Sequence, residues 1–557
     1  MSTLKRIVKH PLTWIIFLAA VLRLWQLGAA DVITDEVFYA FRGLGYLDYD
    51  VGLTQTSPIQ WLDARPWWSW LSFHDHPPLI FLINYICLKL GGVSTWVIRL
   101  PAFLAGIGSV LVVYLIGSLK NRQVAIIASL LLAVSAYHVW ISRIGLQESP
   151  VIFFFLLTTY YYLRWTQNGL GLKSWGLAWG FLWLTKFTGF IMAPIIISHQ
   201  LLVGQFKFRW LQLIRAGLVA LALFSPVIIY NLALLIKFGH FDFQFSFLLG
   251  QQPDAWSTHK GKDLGTVADK LSLLNANLFT GESAILAIVM VAASLLLIAI
   301  MAREIWWRKK AETLGLYVVL ALIWQIVTLA FIGGTERFTA ILIPWLVLAL
   351  ALVLEPWLTK KWLWLSLTLV MLISAFGSIN SFWFNQPIVT SSVFSSSLRV
   401  NSAQWGYNQL DSYLNEELSG KKPSLTFPTR YTWLEVLRRK ALAGQGQPAP
   451  ILLVYDQRLD QLASLWYLHR RLVYEGWPVI PAMNFLQESG GNIEYWHSMG
   501  FQTIYLIEGQ NTLFDPQQIA KIDLNIPDGS VDLVIDTKEI ATPDGIRRFA
   551  VRKINIK

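Results

Sequence analysis

Residues Ile285–Met301 read ILAIVMVAASLLLIAIM, and residues Ile341–Leu354 read ILIPWLVLALALVL. Neither run contains a charged side chain, and a helix needs about 20 mostly apolar residues to cross the ~30 Å hydrocarbon core of a bilayer. The composition agrees, since 55% of the 557 residues are hydrophobic and only 14% are charged, with a mean hydropathy of +0.49. Typical soluble domains carry about 25% charged residues. The sequence therefore predicts a polytopic α-helical membrane protein.

The charge balance and the cysteine content narrow the function classes. A formal net charge of +11 with a pI near 9.5 would suit a nucleic-acid partner. The basic residues, however, gather in alternate loops, which is typical of loops that face a cytoplasm and anionic lipids. We therefore expect membrane lipids and no nucleic acid as partners. The one cysteine, Cys87, excludes an intramolecular disulfide and a multi-cysteine metal site.

The stretch Leu79–Leu90 (LIFLINYICLKL) decides the predicted topology. Twelve residues rising about 1.5 Å each cover roughly 18 Å, too little to cross the hydrocarbon core, so we interpret this stretch as a helix at the interface. About eleven spans then remain. They are roughly 11–30, 102–119, 124–141, 150–163, 174–185, 188–204, 214–236, 283–302, 314–332, 338–354 and 362–383.

The basic residues orient these spans. With a cytoplasmic N-terminus, most bases fall in cytoplasmic segments, whereas each hairpin loop opposite carries one, at Arg143, Lys186 or Arg337. Counting Leu79–Leu90 as a span would break this asymmetry. We therefore expect a plasma (inner) membrane protein with an extracytoplasmic C-terminus. The cytoplasmic bases are Lys5, Arg6, Lys9, Lys120, Arg122, Arg164, Lys173, Lys207, Arg209, Arg215, Arg303, Arg308, Lys309, Lys310, Lys360 and Lys361.

Two domains are predicted. Residues 1–384 form the transmembrane domain with an extracytoplasmic loop at 31–101, and residues 385–557 form an extracytoplasmic α/β domain. The second domain alternates strand-like runs with a helical stretch near Gln461–Arg471 and carries no GxGxxG or GxxxxGK motif, so nothing marks it as nucleotide-binding. The strand-like runs are Ile451–Tyr455, Thr503–Ile507 and Asp532–Ile535.

Ionisable side chains at the extracytoplasmic span ends are the candidate functional residues. In the predicted topology all of them open toward one side of the membrane. The strings are Asp35-Glu36, His74-Asp75-His76-Pro77-Pro78, Arg143 with Glu148, Lys186, and Glu336-Arg337. A carboxylate can act as general base on a hydroxyl or amine nucleophile, and Lys or Arg can hold a phosphate as it leaves. No ATP motif is present, so a lipid-phosphate donor that arrives through the bilayer fits best.

Five strings resemble, in their order and common side, the polyprenol-phosphate-sugar glycosyltransferases of the GT-C superfold. They are Asp35-Glu36, His76-Pro77-Pro78-Leu79, Arg99-Leu100-Pro101, Leu184-Thr185-Lys186, and Arg337 seven residues before Pro344. The closest likeness is to the protein mannosyltransferase and lipid A aminoarabinose transferase group, which is glycosyltransferase family 39-like. The resemblance covers about residues 11–355 and leaves the C-terminal domain out. It departs from the family at Val37-Phe38, where Ala-Tyr is commoner, and at Glu148, where Asp is frequent. The tryptophan-tryptophan-aspartate string of oligosaccharyltransferases is absent.

The resemblance implies an inverting transfer of a sugar from a polyprenyl-phosphate donor to a protein, lipid or glycan acceptor. It implies that Asp35 is the catalytic carboxylate, and that no metal ion and no cofactor take part. We expect Lys186 and Arg337 to hold the lipid phosphate. The remaining candidates would bind sugar or acceptor, and they are Glu36, His74, His76, Arg143 and Glu148.

Several of these residues could have other roles. His74 and His76 could bind zinc with Asp75, although H-x-H alone is a poor metal signature. Lys186 could extend to the interface as a lipid anchor, and Arg23 is most simply such an anchor. Arg143 and Glu148 could form a structural ion pair.

Two other function classes stay open. A transporter or flippase of lipid-linked glycans also places charges in a membrane cavity, but such proteins commonly show two related halves and no internal repeat is visible here. A non-catalytic relative that binds a lipid-linked sugar is the third possibility.

Overall fold

The computed structural model describes most of the chain, in ranges with gaps between them. These ranges are 10–50, 57–62, 64–203, 209–254, 264–308, 312–429, 431–456, 459, 462–510 and 533–556. Several bases counted above lie outside the described residues, namely Lys5, Arg6, Lys9, Lys207, Lys309 and Lys310. Asp532 and Gln461, at the edges of the predicted strand and helix, lie outside them too.

The chain divides into two compact units. Met1–Leu27 and Trp68–Ser402 form the first, called the helical unit below, and Gly28–Trp67 and Ala403–Lys557 form the second, called the sheet unit. Residues 28–67 therefore belong with the C-terminal part of the chain. The division at residue 385 expected from the sequence stays a prediction.

The helical unit consists of α-helices joined by short turns. Its helices are Pro11–Leu24, Leu79–Gly91, Thr95–Ser118, Arg122–Val134, Ala136–Ile141, Glu148–Asn168, Leu172–Thr185, Met192–Val203, Trp210–Phe238, Phe243–Leu248, Val267–Gly281, Ala284–Arg303, Thr313–Ile332, Glu336–Thr339, Ile343–Leu354 and Lys361–Phe382. Their ends follow ordinary capping chemistry. The Asn121 side chain accepts hydrogen bonds from the next helix's first turn, and Gly169 ends Glu148–Asn168 with a φ of 74°, which a glycine adopts without strain.

The predicted membrane architecture is confirmed. Each predicted span overlaps a helix or a run of consecutive helices. Among the described residues, 6 helices are long and apolar enough to cross a bilayer, by length and composition. They are Thr95–Ser118, Trp210–Phe238, Ala284–Trp307, Thr313–Ile332, Glu336–Trp357 and Lys361–Phe382. The other predicted spans correspond to shorter or less apolar helices.

The interfacial stretch forms the helix Leu79–Gly91, directly after Pro77 and Pro78, as their fixed backbone predicts. It has 13 residues, so the short helix is confirmed, and its place at the interface stays a prediction.

Buried arginines close the helix ends in the helical unit. Arg143 donates to the carbonyls of residues 22, 23, 25 and 26 at the end of the first helix, and to the Phe382 carbonyl at the end of the last. A cation suits this position because helix C-termini carry unpaired carbonyls and partial negative charge. Arg23 is fully buried and donates to the Ala133 carbonyl at 2.9 Å and contacts His138 Nδ1 at 2.7 Å. The interpretation of Arg23 as a lipid anchor is therefore wrong.

The sheet unit contains the predicted α/β fold. Its main sheet has five strands in the order β4-β3-β5-β7-β6, with β3 parallel to β4 and β5, and β7 antiparallel to β5 and β6. Every residue of β3 is buried, as expected for a parallel strand covered on both faces. The strands are β1 Lys421–Pro423, β2 Gln447–Ala449, β3 Ile451–Tyr455, β4 Val479–Pro481, β5 Thr503–Gly509, β6 Leu533–Ala541 and β7 Arg547–Ile556.

Helices pack on this sheet around one apolar core, in which Trp496 and Phe485 stack on each other and share the core with side chains of β3 and β5. The α-helices of the unit are Glu36–Gly45, Pro58–Trp61, Tyr407–Leu418, Thr432–Leu442, Leu462–Ser464, Arg470–Tyr474, Ala482–Ser489 and Ile493–Ser498.

A buried carboxylate ties the two segments of the sheet unit together. Asp31 accepts hydrogen bonds from the backbone N–H groups of Trp405, Tyr407 and Asn408. The Asn408 amide donates back to the carbonyls of residues 28–30. These reciprocal bonds, called the Asp31 clamp below, fix the chain just before the predicted catalytic Asp35.

We expect Asp31→Ala to destabilise the protein, because it leaves backbone N–H groups buried without an acceptor. Each such group costs roughly 1–3 kcal/mol, and three of them donate to Asp31, so the free energy of unfolding should fall by at least about 3 kcal/mol. The melting temperature of the purified protein measures this change. Glu416→Ala removes an exposed carboxylate from the helix Tyr407–Leu418 and is the control. Equal melting temperatures for the two variants would contradict the role of the clamp.

Candidate functional site

Three predicted residues meet in the helical unit. Glu148 Oε1 lies 2.6 Å from Lys186 Nζ and 3.9 Å from Arg337 Nε. Both cations also lie over the ring of Phe338, whose centroid is 4.8 Å from Lys186 Nζ and 4.9 Å from Arg337 Cζ. Glu148 and Lys186 are buried, with Arg337 about a third exposed. We call these four residues the Glu148 cluster.

Local backbone structure places each charge. Glu148 is the first residue of the helix Glu148–Asn168, where a carboxylate is favoured by the unpaired N–H groups and the helix dipole. Lys186 interrupts two helical segments with an extended backbone (φ −161°, ψ 143°), so its side chain leaves the helix axis. Arg337 lies in the one-turn helix Glu336–Thr339, at the start of the apolar helical run Glu336–Trp357.

Two cavities adjoin the cluster. The smaller, about 30 Å³, is lined by Glu148, Lys186 and Phe338 together with Gln325 and apolar residues, and has room for one or two water molecules. The larger, about 520 Å³, is predominantly apolar. Its lining residues are Phe187, Thr188, Phe190, Ile191, Pro194, Gln244, Phe245, Phe247, Leu248, Trp324, Val327, Thr328, Phe331 and Ile332. Both cavities include Thr188, Ile191, Thr328 and Ile332, so they are neighbours.

The His-Asp-His string forms its own small cluster. His76 Nδ1 lies 3.1 Å from Asp75 Oδ1, and the buried His74 Nδ1 lies 3.9 Å from the same oxygen. The His74 carbonyl accepts a hydrogen bond of 2.8 Å from the Phe243 N–H, which joins this string to the helix Phe243–Leu248. That helix supplies part of the wall of the larger cavity.

Asp242, which sequence reasoning missed, holds this helix in place. Its side chain caps the helix by accepting from the Phe245 N–H at 2.9 Å, and it accepts from the Asn231 amide at 2.8 Å. Burial raises the pKa of Asp242 to about 7, although these hydrogen bonds and His74 act in the opposite direction. The sequence feature that could have pointed to Asp242 is its partner Asn231, a polar residue inside an apolar helix.

The other predicted residues lie elsewhere. Asp35 and Glu36 belong to the sheet unit, at the start of the helix Glu36–Gly45, where Asp35 is the half-buried cap residue and Glu36 is buried. Arg143 donates to the helix-end carbonyls described above. Phe338 was not predicted, although it directly follows Arg337 in the sequence.

The comparisons with known proteins agree with this fold. Residues 75–230, which include His76, Glu148 and Lys186, match the family model described as dolichyl-phosphate-mannose-protein mannosyltransferase. Two crystal structures of ArnT from Cupriavidus metallidurans, one bound to undecaprenyl phosphate and one in the apo state, align with TM-scores of 0.54 and 0.53. Each shares 12% identity with this chain, and each alignment covers 97% of both chains. No curated protein sequence matches the chain.

The structural likeness confirms the GT-C-type fold expected from the sequence, and the family match indicates a glycosyltransferase. At 12% identity the likeness to ArnT concerns the fold alone.

We expect the buried Asp242 to make stability depend on pH. Its pKa is about 7 in the folded protein against an ordinary value of 3.8, so the folded state binds more protons than the unfolded state between these values. The free energy of unfolding should therefore fall as the pH rises from about 4 to about 7. Melting temperatures between pH 5 and pH 8 should fall less for Asp242→Asn than for the wild type. Asp254→Asn, at an exposed position, is the control and should melt like the wild type at every pH.

Proposed function

We propose that this protein transfers a sugar from a polyprenyl-phosphate donor to an acceptor on the extracytoplasmic face of a plasma membrane. One observation carries the proposal: Lys186, which contacts the same Glu148 oxygen as Arg337, lines a small cavity that shares four wall residues with an apolar cavity of about 520 Å³. An amphiphile with an anionic head and an isoprenoid tail has the matching chemistry. The undecaprenyl phosphate bound in one ArnT structure belongs to this class.

The cations act on the leaving group. As the bond between the sugar's anomeric carbon and the phosphate oxygen breaks, negative charge develops on the phosphate. Charged donors in a site with little water stabilise this charge by several kcal/mol. Lys186 and Arg337 both lie within 5 Å of the Phe338 ring and both contact Glu148 Oε1, so the two cations are close enough to bind one phosphate group.

Asp35 is the proposed general base. It accepts the proton of the acceptor's hydroxyl or amine while that group attacks the anomeric carbon from the face opposite the phosphate, which inverts the configuration. Its position at the start of the helix Glu36–Gly45 and its half-exposed side chain support this role. Glu36, His74 and His76 would contact the sugar or the acceptor.

The second candidate, a flippase for lipid-linked glycans, makes a different product. Purified protein in lipid nanodiscs, incubated with a panel of polyprenyl-phosphate sugars and candidate acceptors, should release free polyprenyl phosphate and form a glycosylated product detectable by mass spectrometry. Intact donor after prolonged incubation with the whole panel, together with donor movement across a vesicle bilayer, would favour the flippase.

Asp35→Asn should abolish transfer while donor binding persists. Loss of a general base lowers the rate about 10²- to 10⁴-fold, and the amide keeps the size of the side chain. Turnover and donor affinity, measured on the same preparation, test this expectation. Asp35→Glu should restore part of the rate, whereas Asp536→Asn, at an exposed position of β6, should have no effect. Near-normal turnover by Asp35→Asn would refute the assignment.

Lys186→Met should weaken donor binding. A charge-assisted hydrogen bond is worth about 1.5–3 kcal/mol, so the donor KM should rise about ten- to a hundredfold. Because this variant leaves Glu148 without its closest cation, the double variant Glu148→Gln/Lys186→Met separates donor binding from stability. The double variant should recover melting temperature but not donor affinity. Lys237→Met, at an exposed position, is the control, and an unchanged KM for Lys186→Met would contradict the phosphate role.

A further inference from the structure

Glu148 is an acidic residue in a place that should attract an anion. Its Oε1 contacts Lys186 at 2.6 Å and lies 3.9 Å from Arg337, the two cations assigned above to the donor phosphate. Its Oε2 is buried and has no hydrogen-bond partner among the described residues. A buried carboxylate oxygen without a partner is costly, so a purely structural ion pair would be expected to satisfy both oxygens.

The carboxylate borders the space that the ligand would occupy. Glu148 and Lys186 both line the small cavity, and that cavity shares lining residues with the larger apolar one. A lipid tail in the larger cavity therefore brings its head group next to Glu148. Any charge on that head group meets two cations and one carboxylate at close range.

The donor and the spent carrier differ in charge. A polyprenyl-phosphate sugar is a phosphodiester with one negative charge, whereas the polyprenyl phosphate left after transfer is a monoester. A phosphate monoester has a second pKa near 6 and carries about −1.5 to −2 at pH 7. The additional charge is attracted by the cations and repelled by Glu148.

We propose that Glu148 is a specificity-determining residue, which discriminates the sugar-loaded phosphodiester from the spent polyprenyl monophosphate by repelling the second negative charge of the monophosphate. This inference rests on the proposed function. Its consequence is faster product release, because without Glu148 the two cations would hold the dianion still more tightly relative to the donor.

The size of the effect follows from Coulomb's law. Two unit charges about 8–12 Å apart, at an effective dielectric constant of about 20, interact strongly enough to change an affinity on the order of tenfold or more. Glu148→Gln removes the repulsion of one negative charge for the donor and of about two negative charges for the dianionic product. The ratio of product Ki to donor KM should therefore fall about tenfold at pH 7.5.

The experiment measures this ratio for the wild type, Glu148→Gln and Glu148→Asp in nanodiscs, with polyprenyl phosphate as the competing ligand. Glu148→Asp keeps the charge and should keep the wild-type ratio. A Glu148→Gln variant whose product Ki and donor KM change in parallel, or not at all, would overturn the inference. Melting temperature and size-exclusion profiles establish that each variant is folded.

The pH dependence of the same ratio provides a second test. Between pH 5.5 and pH 7.5 the monoester gains its second charge, while the diester keeps one charge. Asp242, whose pKa is about 7, titrates in the same range in both proteins, so comparing the wild type with Glu148→Gln isolates the contribution of Glu148. Because Lys186 and Arg337 together outweigh one carboxylate, the ratio of product Ki to donor KM should fall as the pH rises, and it should fall more steeply in Glu148→Gln than in the wild type. Equal slopes in the two proteins would contradict the proposed discrimination. If no donor in the panel is turned over, the proposed function itself fails.

Discussion

A charge inside the helical unit requires compensation by another group of the protein, because little water is available to solvate it. Arg143 satisfies this constraint with five backbone carbonyls, and the Glu282 carboxylate does so by accepting from the Ala136, Tyr137 and Ser283 N–H groups and the Ser135 hydroxyl. Glu148 satisfies it with only one of its oxygens. Arg143 and Glu282 therefore hold helix ends together, whereas Glu148 faces a cavity.

The cavities owe their chemistry to residues that are close in the fold and distant in sequence. The apolar wall combines side chains from Phe187–Ile191, Phe243–Leu248 and Thr313–Ile332. Asp242 fixes the second of these segments through Asn231, and the Phe243 N–H ties the same segment to the His74 carbonyl. An apolar chamber and a pair of cations are thus built from different parts of one helical unit. This combination is what an anionic lipid requires.

The candidate site was predictable in part. Lys186, Arg337 and Glu148 stand out because ionisable residues at span ends are rare and need a partner. The sequence predicted only that these residues share one side of the membrane. The structure adds their distances, which show an ion pair of 2.6 Å between Glu148 and Lys186 and a looser contact of 3.9 Å between Glu148 and Arg337. Arg23 shows the opposite case. An arginine near a span end looks the same in the sequence whether it extends to lipid or caps a neighbouring helix. Arg23 is buried and contacts Ala133 and His138, which shows that it caps a helix.

The sequence by itself determined the membrane character, the short helix after Pro77-Pro78, and β3, β5 and part of β6 in the C-terminal fold, because each depends on local composition and periodicity. It also determined which charged residues deserved a function. Only the tertiary structure decided that residues 28–67 join the C-terminal segment through the Asp31 clamp, and that two cations lie over the ring of Phe338. These features depend on contacts between residues hundreds of positions apart or on the direction of single side chains. Neither leaves a periodic trace in the sequence.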